Sequence, residues 1–290
     1  MQRGALRGVV QRAIKRQPRV HWAARTIRTT LRRALPARCY PGLPGRVHPN
    51  DFMLDDRSPA SVASYRERAL NVLQHVEDAL TEAGRSFDDV QQWLDFGSGY
   101  GRVVRFLVER VPSGRVTVSD ILEEAVDFCS AEFGVQPLYS TPRPHARELG
   151  TYDFIYAISV LSHMNERNSK HLLDLFGRSL APGGIVLFTT HGQWSLEQPE
   201  TYGDEYVTRR DEIRHNTERH GAFFLPYPYM RGDHYGMAWH TKEYVERTMR
   251  DLHGSELELL RFVPHGLDGH QDVFAFRRRA ATAEVSRQAQ

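Results

Sequence analysis

Three glycines at alternate positions, Gly97, Gly99 and Gly101, stand in the run Leu-Asp-Phe-Gly-Ser-Gly-Tyr-Gly-Arg over residues 94–102, after an apolar strand-like segment and before an apolar helical one. Glycines at such spacing let the backbone turn sharply and approach a ligand with no Cβ in the way. The following helix is expected to aim its unpaired N–H groups at that ligand. The run therefore reads as a nucleotide-cofactor loop joining a strand to a helix. Two further features stand at fitting distances: Asp120 closes a second strand, and the turn Pro182 to Gly184 opens a fifth. A dinucleotide-binding loop would show G-x-G-x-x-G with a ribose acid about 20 residues later. Here the third glycine follows the second by two positions and an acid precedes the first by two, which disfavours that reading.

Around the loop, apolar runs alternate between strand and helix spacing. Strands are expected at Trp93 to Phe96, Arg115 to Ser119, Val135 to Tyr139, Phe154 to Val160 and Ile185 to Thr190, and helices at Arg102 to Arg110, Glu123 to Phe133 and Glu166 to Leu180. Such alternation means right-handed crossovers and a mostly parallel sheet. Ahead of it, Ser58-Pro59 opens a helix whose apolar face runs through Val62, Tyr65, Ala69, Val72, Leu73, Val76 and Leu80 and which ends at Gly84. The stretch from Gly192 to His240 breaks the rhythm: it is rich in aromatic residues, Pro and Gly, and reads as an insertion of the lid or substrate-loop kind. A helix at Thr241 to Leu252 and a hairpin, Leu257 to Val263 with Asp272 to Arg277, finish the domain.

The constellation resembles the class I S-adenosylmethionine-dependent methyltransferases, firmly over residues 90–190 and loosely over 241–277. The family pattern acid-x-Gly-x-Gly-x-Gly falls on Asp95, Gly97, Gly99 and Gly101, and the strand-two acid on Asp120 of Val116-Thr-Val-Ser-Asp120. The resemblance implies a Rossmann-like, seven-stranded, mostly parallel sheet with helices on both faces and an antiparallel last strand. It implies S-adenosyl-L-methionine as cofactor, with Asp95, Gly97, Ser98, Gly99 and Gly101 at its amino-acid end, Asp120 on its ribose, Ile121 by its adenine, and Ser159 in the lining segment after strand four. Residues 1–50 and 192–240 lie outside the resemblance.

Charge divides the chain. Of its 38 Lys and Arg, 12 lie in residues 1–50, which hold no Asp or Glu, leaving 26 basic against 36 acidic groups in the rest. We read residues 1–50 as a basic extension and 51–290 as the domain. The tail suits a loosely docked arm, a helix on anionic lipid, or a charge-based contact with nucleic acid or an acidic protein surface. Its Arg-rich, acid-free composition is also that of an organelle transit peptide, against which its length and the absence of serine before Ser58 argue. Cys39 and Cys129 have no metal or redox spacing, so no disulfide is expected, and no apolar run approaches the ~18 residues of a membrane span. A soluble cytoplasmic protein is expected, peripheral to the membrane only on the reading of the tail as a lipid-bound helix.

In open α/β sheets ligands sit beyond the carboxyl ends of the strands. That directs attention to Ser159, Ser162 and His163 after the fourth strand and His191 after the fifth. A hydroxyl acceptor profits from a base, and histidine is suited to that near neutral pH. His163 is the preferred base and His191 a second base or substrate contact. The run from His265 to Asp272 could suggest a metal, but reads more simply as a polar turn, and no metal is expected. Amino-methyltransferases of this family often carry Asn/Asp-Pro-Pro-Tyr/Phe after strand four, where this chain has Ala157-Ile-Ser-Val160. Nucleic-acid amines are thereby disfavoured, and a small-molecule or saccharide acceptor methylated on oxygen is expected. The alternatives are an RNA methyltransferase guided by the tail and a non-catalytic cofactor-binding module in a larger assembly.

Overall fold

A strand covered on both faces reads as a near-continuous apolar run, and Trp93–Phe96 (β3), apolar but for Asp95, is buried along its length. The computed structural model, which describes residues 30, 35–54, 56–142, 148–228 and 234–280, places β3 at the centre of a seven-stranded sheet. Most of the basic extension thus lies outside the described residues, and the readings made for it with it. The other strands are Val116–Asp120 (β4), Gln136–Tyr139 (β5), Tyr152–Ala157 (β6), Leu180–Thr190 (β7), Leu257–Leu267 (β10) and Gln271–Arg278 (β11). Their order is β10-β11-β7-β6-β3-β4-β5. The five strands from β7 to β5 run parallel, and β11 lies antiparallel between β7 and β10.

The period of two along each strand splits the core into two layers. Trp93, Phe154, Tyr156, Ile185, Leu187, Val273 and Ala275 face one layer, which Pro59–Glu82 (α1), Val104–Leu107 (α2) and Glu123–Phe133 (α3) cover. Leu94, Ile155, Ala157, Val186, Phe188, Phe274 and Phe276 face the other, under Glu166–Arg178 (α4) and Lys242–His253 (α8). The Rossmann-like fold expected from the sequence is therefore present, with helices on both faces. Helix α1 starts where Ser58 accepts a hydrogen bond from Ser61 N with proline in the first turn. It is joined to β10 by Arg261, which pairs with Asp78 at 2.8 Å and with Glu82.

Three expectations need correction, the first being the fourth strand, which runs Tyr152–Ala157 rather than Phe154 to Val160. The helix expected from Arg102 to Arg110 shrinks to the single turn α2 flanked by turns. Val103, Val104, Val108 and Val111 are stiff, poor helix formers, and Arg105 donates from its side chain to Gly101 O. The fifth strand begins at Leu180 rather than Ile185, pairing with Tyr152 before a register shift.

The stretch after β7 is far from structureless. It forms the helices Gln193–Glu197 (α5), Asp204–Thr208 (α6) and Arg210–His220 (α7), then the hairpin Ala222–Pro226 (β8) with Gly236–His240 (β9). Leu196, Tyr206, Ile213, Leu225, Met237 and Trp239 make its own small core. Helix α7 escaped a periodicity reading because it buries only Ile213 and Thr217. Two short strands before the domain, Arg38–Cys39 (β1) and Arg46–Val47 (β2), pair antiparallel in a segment whose Pro44, Arg46 and His48 contact Arg105 and Tyr100 at the glycine loop.

Candidate functional site

The glycine loop is held from below by its neighbours. Gly97 N and Ser98 N both donate to Ser119 O of β4, at 2.7 and 3.0 Å. All three glycines adopt positive φ, which L side chains rarely adopt. A Cβ at Gly97 would lie 2.5 Å from Val160 Cγ2, and one at Gly101 would meet Phe133, Val104 and Cys129 within 3.0 Å. At Gly99 a Cβ would meet nothing within 4 Å. Two glycines thus pack the loop down, and the middle one faces open space.

Beneath the loop Arg105 is fully buried and donates to Gly101 O and Tyr100 O on one side and to Pro44 O and Arg46 O on the other. The His48 ring stacks on Tyr100 at 4.5 Å, and Asn50 and Tyr100 both donate to Glu124. Residues 44–50, at the edge of what the sequence marks as an extension, are therefore part of the loop's support.

Asp120 accepts from Gly99 N at 2.8 Å and from Leu122 N at 2.9 Å, one bond on each carboxylate oxygen. Burial raises its pKa, and those backbone donors pull the other way. Asp95 is more deeply placed. Burial pushes its carboxyl up to about 7, with the Tyr156 hydroxyl and Arg102 opposing and Asp120 reinforcing the shift. Its Oδ2 is buried with no hydrogen-bond partner. Ile121, next to Asp120, leaves its side chain exposed. Beyond the ends of β3 and β5, Phe96, Leu138, Tyr139 and Leu149 line a small, mainly apolar pocket.

At the ends of β6 and β7 the chain builds a second cluster. Ser159 takes φ of 57°, donates its N–H to Thr189 Oγ1 at 2.8 Å, and exchanges hydrogen bonds with the Gln271 amide. Thr189 Oγ1 donates to Gln271 Oε1 at 2.7 Å. Gln271 thus ties three strand ends together, a role that a lone glutamine at the start of the last strand did not announce. Ser162 is buried and its hydroxyl has no partner.

His163 and His191 come together, ring centroids 6.0 Å apart and edge to face. His163 Nδ1 lies 2.9 Å from Gly236 O and 3.1 Å from Tyr227 Oη; His191 Nδ1 lies 3.2 Å from Ala238 O. A carbonyl only accepts, so Nδ1 carries the proton in both rings and Nε2 keeps the lone pair. Burial lowers both pKa values, that of His191 well below the usual histidine range, so both rings are neutral at pH 7. Tyr235 lies 5.4 Å from the His163 ring and Tyr202 5.0 Å from that of His191. Of the run His265 to Asp272, expected as a polar turn, only residues 268–270 turn, the rest belonging to the ends of β10 and β11. Asp272 Oδ1 accepts from His265 N, and no group of three or more His, Cys, Asp or Glu placed to hold a metal occurs among the described residues. Among those residues no helix is long and apolar enough to cross a membrane.

The strand order, the acid-led glycine loop and the acid ending the second strand of the parallel run define a class I S-adenosylmethionine-dependent methyltransferase fold. A family model described as a methyltransferase domain matches residues 63–252, well over half of the sequence, and the chain belongs to that family, whose cofactor is S-adenosyl-L-methionine. Among curated proteins, alpha N-terminal protein methyltransferase 1 of Drosophila melanogaster is 28% identical over 127 residues, 40% of this chain and 45% of that protein. The match therefore spans less than half of that relative. Among solved structures, the PH0226 protein of Pyrococcus horikoshii OT3 superposes with a TM-score of 0.51 at 15% identity, over 78% of this chain and 95% of its own. The magnesium protoporphyrin IX methyltransferase of Synechocystis PCC 6803, solved with bound S-adenosylhomocysteine, gives 0.49 at 14% identity, over 78% and 91%.

The residues present fit that cofactor. Gly99 leaves the room a ligand needs, and the orphaned Asp95 Oδ2 suits a cationic donor. Each Asp120 oxygen, holding one backbone bond, keeps a further lone pair for a hydroxyl.

Proposed function

We propose that this methyltransferase transfers its methyl group to an oxygen of a small-molecule or saccharide acceptor, with His163 as base and His191 beside it. The observation that carries the reading is the pair of neutral imidazoles at the carboxyl ends of β6 and β7, each with Nδ1–H held by a carbonyl. The cofactor supplies an electrophilic methyl group on a sulfonium. Asp95 and the loop from Gly97 to Gly101, Ser98 included, hold its amino-acid end; Asp120 holds its ribose hydroxyls; Ile121, with the apolar wall of Phe96 and Leu138, flanks its adenine. Ser159, whose hydroxyl and amide are both engaged within the chain, contributes through the shape of the strand end. Nε2 of His163 takes the acceptor's proton, and the partly exposed rings of Tyr227 and Tyr235 offer a face to a ring-shaped acceptor.

An amine acceptor is the second reading. It is favoured by the amine-directed activity that the name of the Drosophila relative states and by the same neutral imidazoles, which can also take a proton from an ammonium group. A panel of phenols, sugars, amines and peptide N-termini, assayed for S-adenosylhomocysteine release with wild type and His163→Gln, separates the two. Turnover only on hydroxyl acceptors, lost in the variant while calorimetric cofactor binding persists, supports the first reading. Turnover only on amines replaces it with the second. Cofactor binding with no turnover on any acceptor points to a non-catalytic module.

A further inference from the structure

The hairpin β8–β9 does more than roof the acceptor side. We infer that β9 is a positioning element that sets the tautomer of both histidines through two main-chain carbonyls, Gly236 O and Ala238 O. This rests on the reading of His163 and His191 as acceptor-side bases. Along an extended strand, backbone groups alternate between the two edges. One edge of β9 pairs with β8. The other presents Gly236 O to His163 Nδ1, Ala238 O to His191 Nδ1, and the N–H of His240 to His191 O at 2.9 Å. The isolated bridges Met164 to Tyr235 and His191 to Trp239 dock the same edge on the strand ends. Two carbonyls two residues apart therefore meet two imidazoles from two different strand ends, and both leave Nε2 as the basic nitrogen.

Gly236 makes this approach feasible. A Cβ there would lie 2.1 Å from Leu225 O and 2.7 Å from Pro226 Cα, both backbone atoms of the paired strand that cannot rotate aside. Any side chain at 236 must push β9 away from β8, and the carbonyl that holds His163 moves with it. Gly236 is thus a positioning residue: it touches no reacting atom and acts through His163. Tyr227, whose hydroxyl shares His163 Nδ1 at 3.1 Å, is the side-chain part of the same device. Ala238, two residues along the strand, holds His191 independently.

The test is nitrogen NMR of the full chain labelled with 15N-histidine at neutral pH, with His163→Gln and His191→Gln used to assign the two rings. The expected result is a single neutral Nδ1–H form for both. In Gly236→Ala the His163 signals should move toward an Nε2–H or exchanging mixture while those of His191 stay in place. Tyr227→Phe should shift His163 alone, and less. An Nε2–H or doubly protonated ring at either position in the wild type overturns the inference, and so does a folded Gly236→Ala whose His163 signals are unmoved. Should Gly236→Ala not fold, the wild-type spectrum and Tyr227→Phe decide. A wrong base reading leaves these spectra as expected and shows instead as full turnover in His163→Gln on the acceptor the panel identifies.

Discussion

The two ends of the ligand cleft are built by different means. On the cofactor side, the loop from Gly97 to Gly101 and Asp120 are 19–23 residues apart and belong to adjacent parallel strands, so a local conformational demand and one strand crossover assemble them. On the acceptor side, His163 meets a carbonyl 73 residues away, His191 one 47 away, and Ser159 an amide 112 away. Backbone geometry built the first end and tertiary contact the second. The first should therefore fail through strain and lost backbone donors, and the second through lost orientation at nearly constant stability.

The largest effect is expected where strain and packing coincide. Gly101→Val adds a branched side chain at φ of +80° against Phe133, Val104 and Cys129, and should cost about 3 kcal/mol or more of stability. Chemical denaturation reads this, and a smaller loss breaks the claim that the loop is packed down at that point. On the acceptor side, His163→Gln should lower turnover about 100-fold or more, the usual contribution of a positioned base, with cofactor affinity and melting temperature nearly unchanged. A parallel loss of cofactor affinity would mean that the two ends are not separable.

Asp120→Ala should weaken S-adenosyl-L-methionine binding about tenfold or more, the worth of a charge-assisted hydrogen bond at ~1.5–3 kcal/mol. Isothermal calorimetry checks it, and an unchanged affinity would remove Asp120 from the site. The pH dependence sharpens the contrast further. With its carboxyl raised to about 7, the folded chain keeps Asp95 protonated where the unfolded chain has ionised it. This group's contribution to stability is therefore lost as pH rises from about 4 through 7. A cationic ligand favours the ionised form, so cofactor affinity should fall as pH drops below about 7, and Asp95→Asn should flatten that slope. The histidines run the other way. His163, His191 and His240 are held neutral, the last with a pKa lowered to about 4. Their contribution is present above about 6.5 and lost as pH falls below it.

The smallest stability effect belongs to Gly99→Ala. Its Cβ meets nothing, so only the positive φ is strained, at about 1 kcal/mol. Its effect on cofactor affinity should exceed its effect on stability, since that Cβ points where the ligand approaches. Equal effects would show that the room above Gly99 is not used.

Much of this is legible in the sequence. Asp95, the three glycines and Asp120 announce themselves because positive φ admits few side chains and because a parallel strand ends where its carboxylate can reach the loop. The two histidines were found by position alone, as the first imidazoles beyond two strand ends. Their neutrality, their proximity and the direction of their lone pairs were not, because each depends on a carbonyl far along the chain. The helices of the insertion went unseen because α7 buries too little apolar surface to show a period. The short α2 was overestimated because its valines are poor helix formers and the Arg105 side chain bonds Tyr100 O, the carbonyl that a longer helix would pair with Val104 N.

By itself, then, the sequence determined the doubly covered parallel sheet, the cofactor loop and the strand-end acid, since alternation, turn chemistry and glycine spacing are properties of neighbouring residues. Only the tertiary structure decided that residues 44–50 brace the loop through Arg105, that Gln271 joins three strand ends, and that β9 holds both imidazoles. Those are contacts between segments remote in sequence, and their geometry exists only once the sheet has brought the strand ends together.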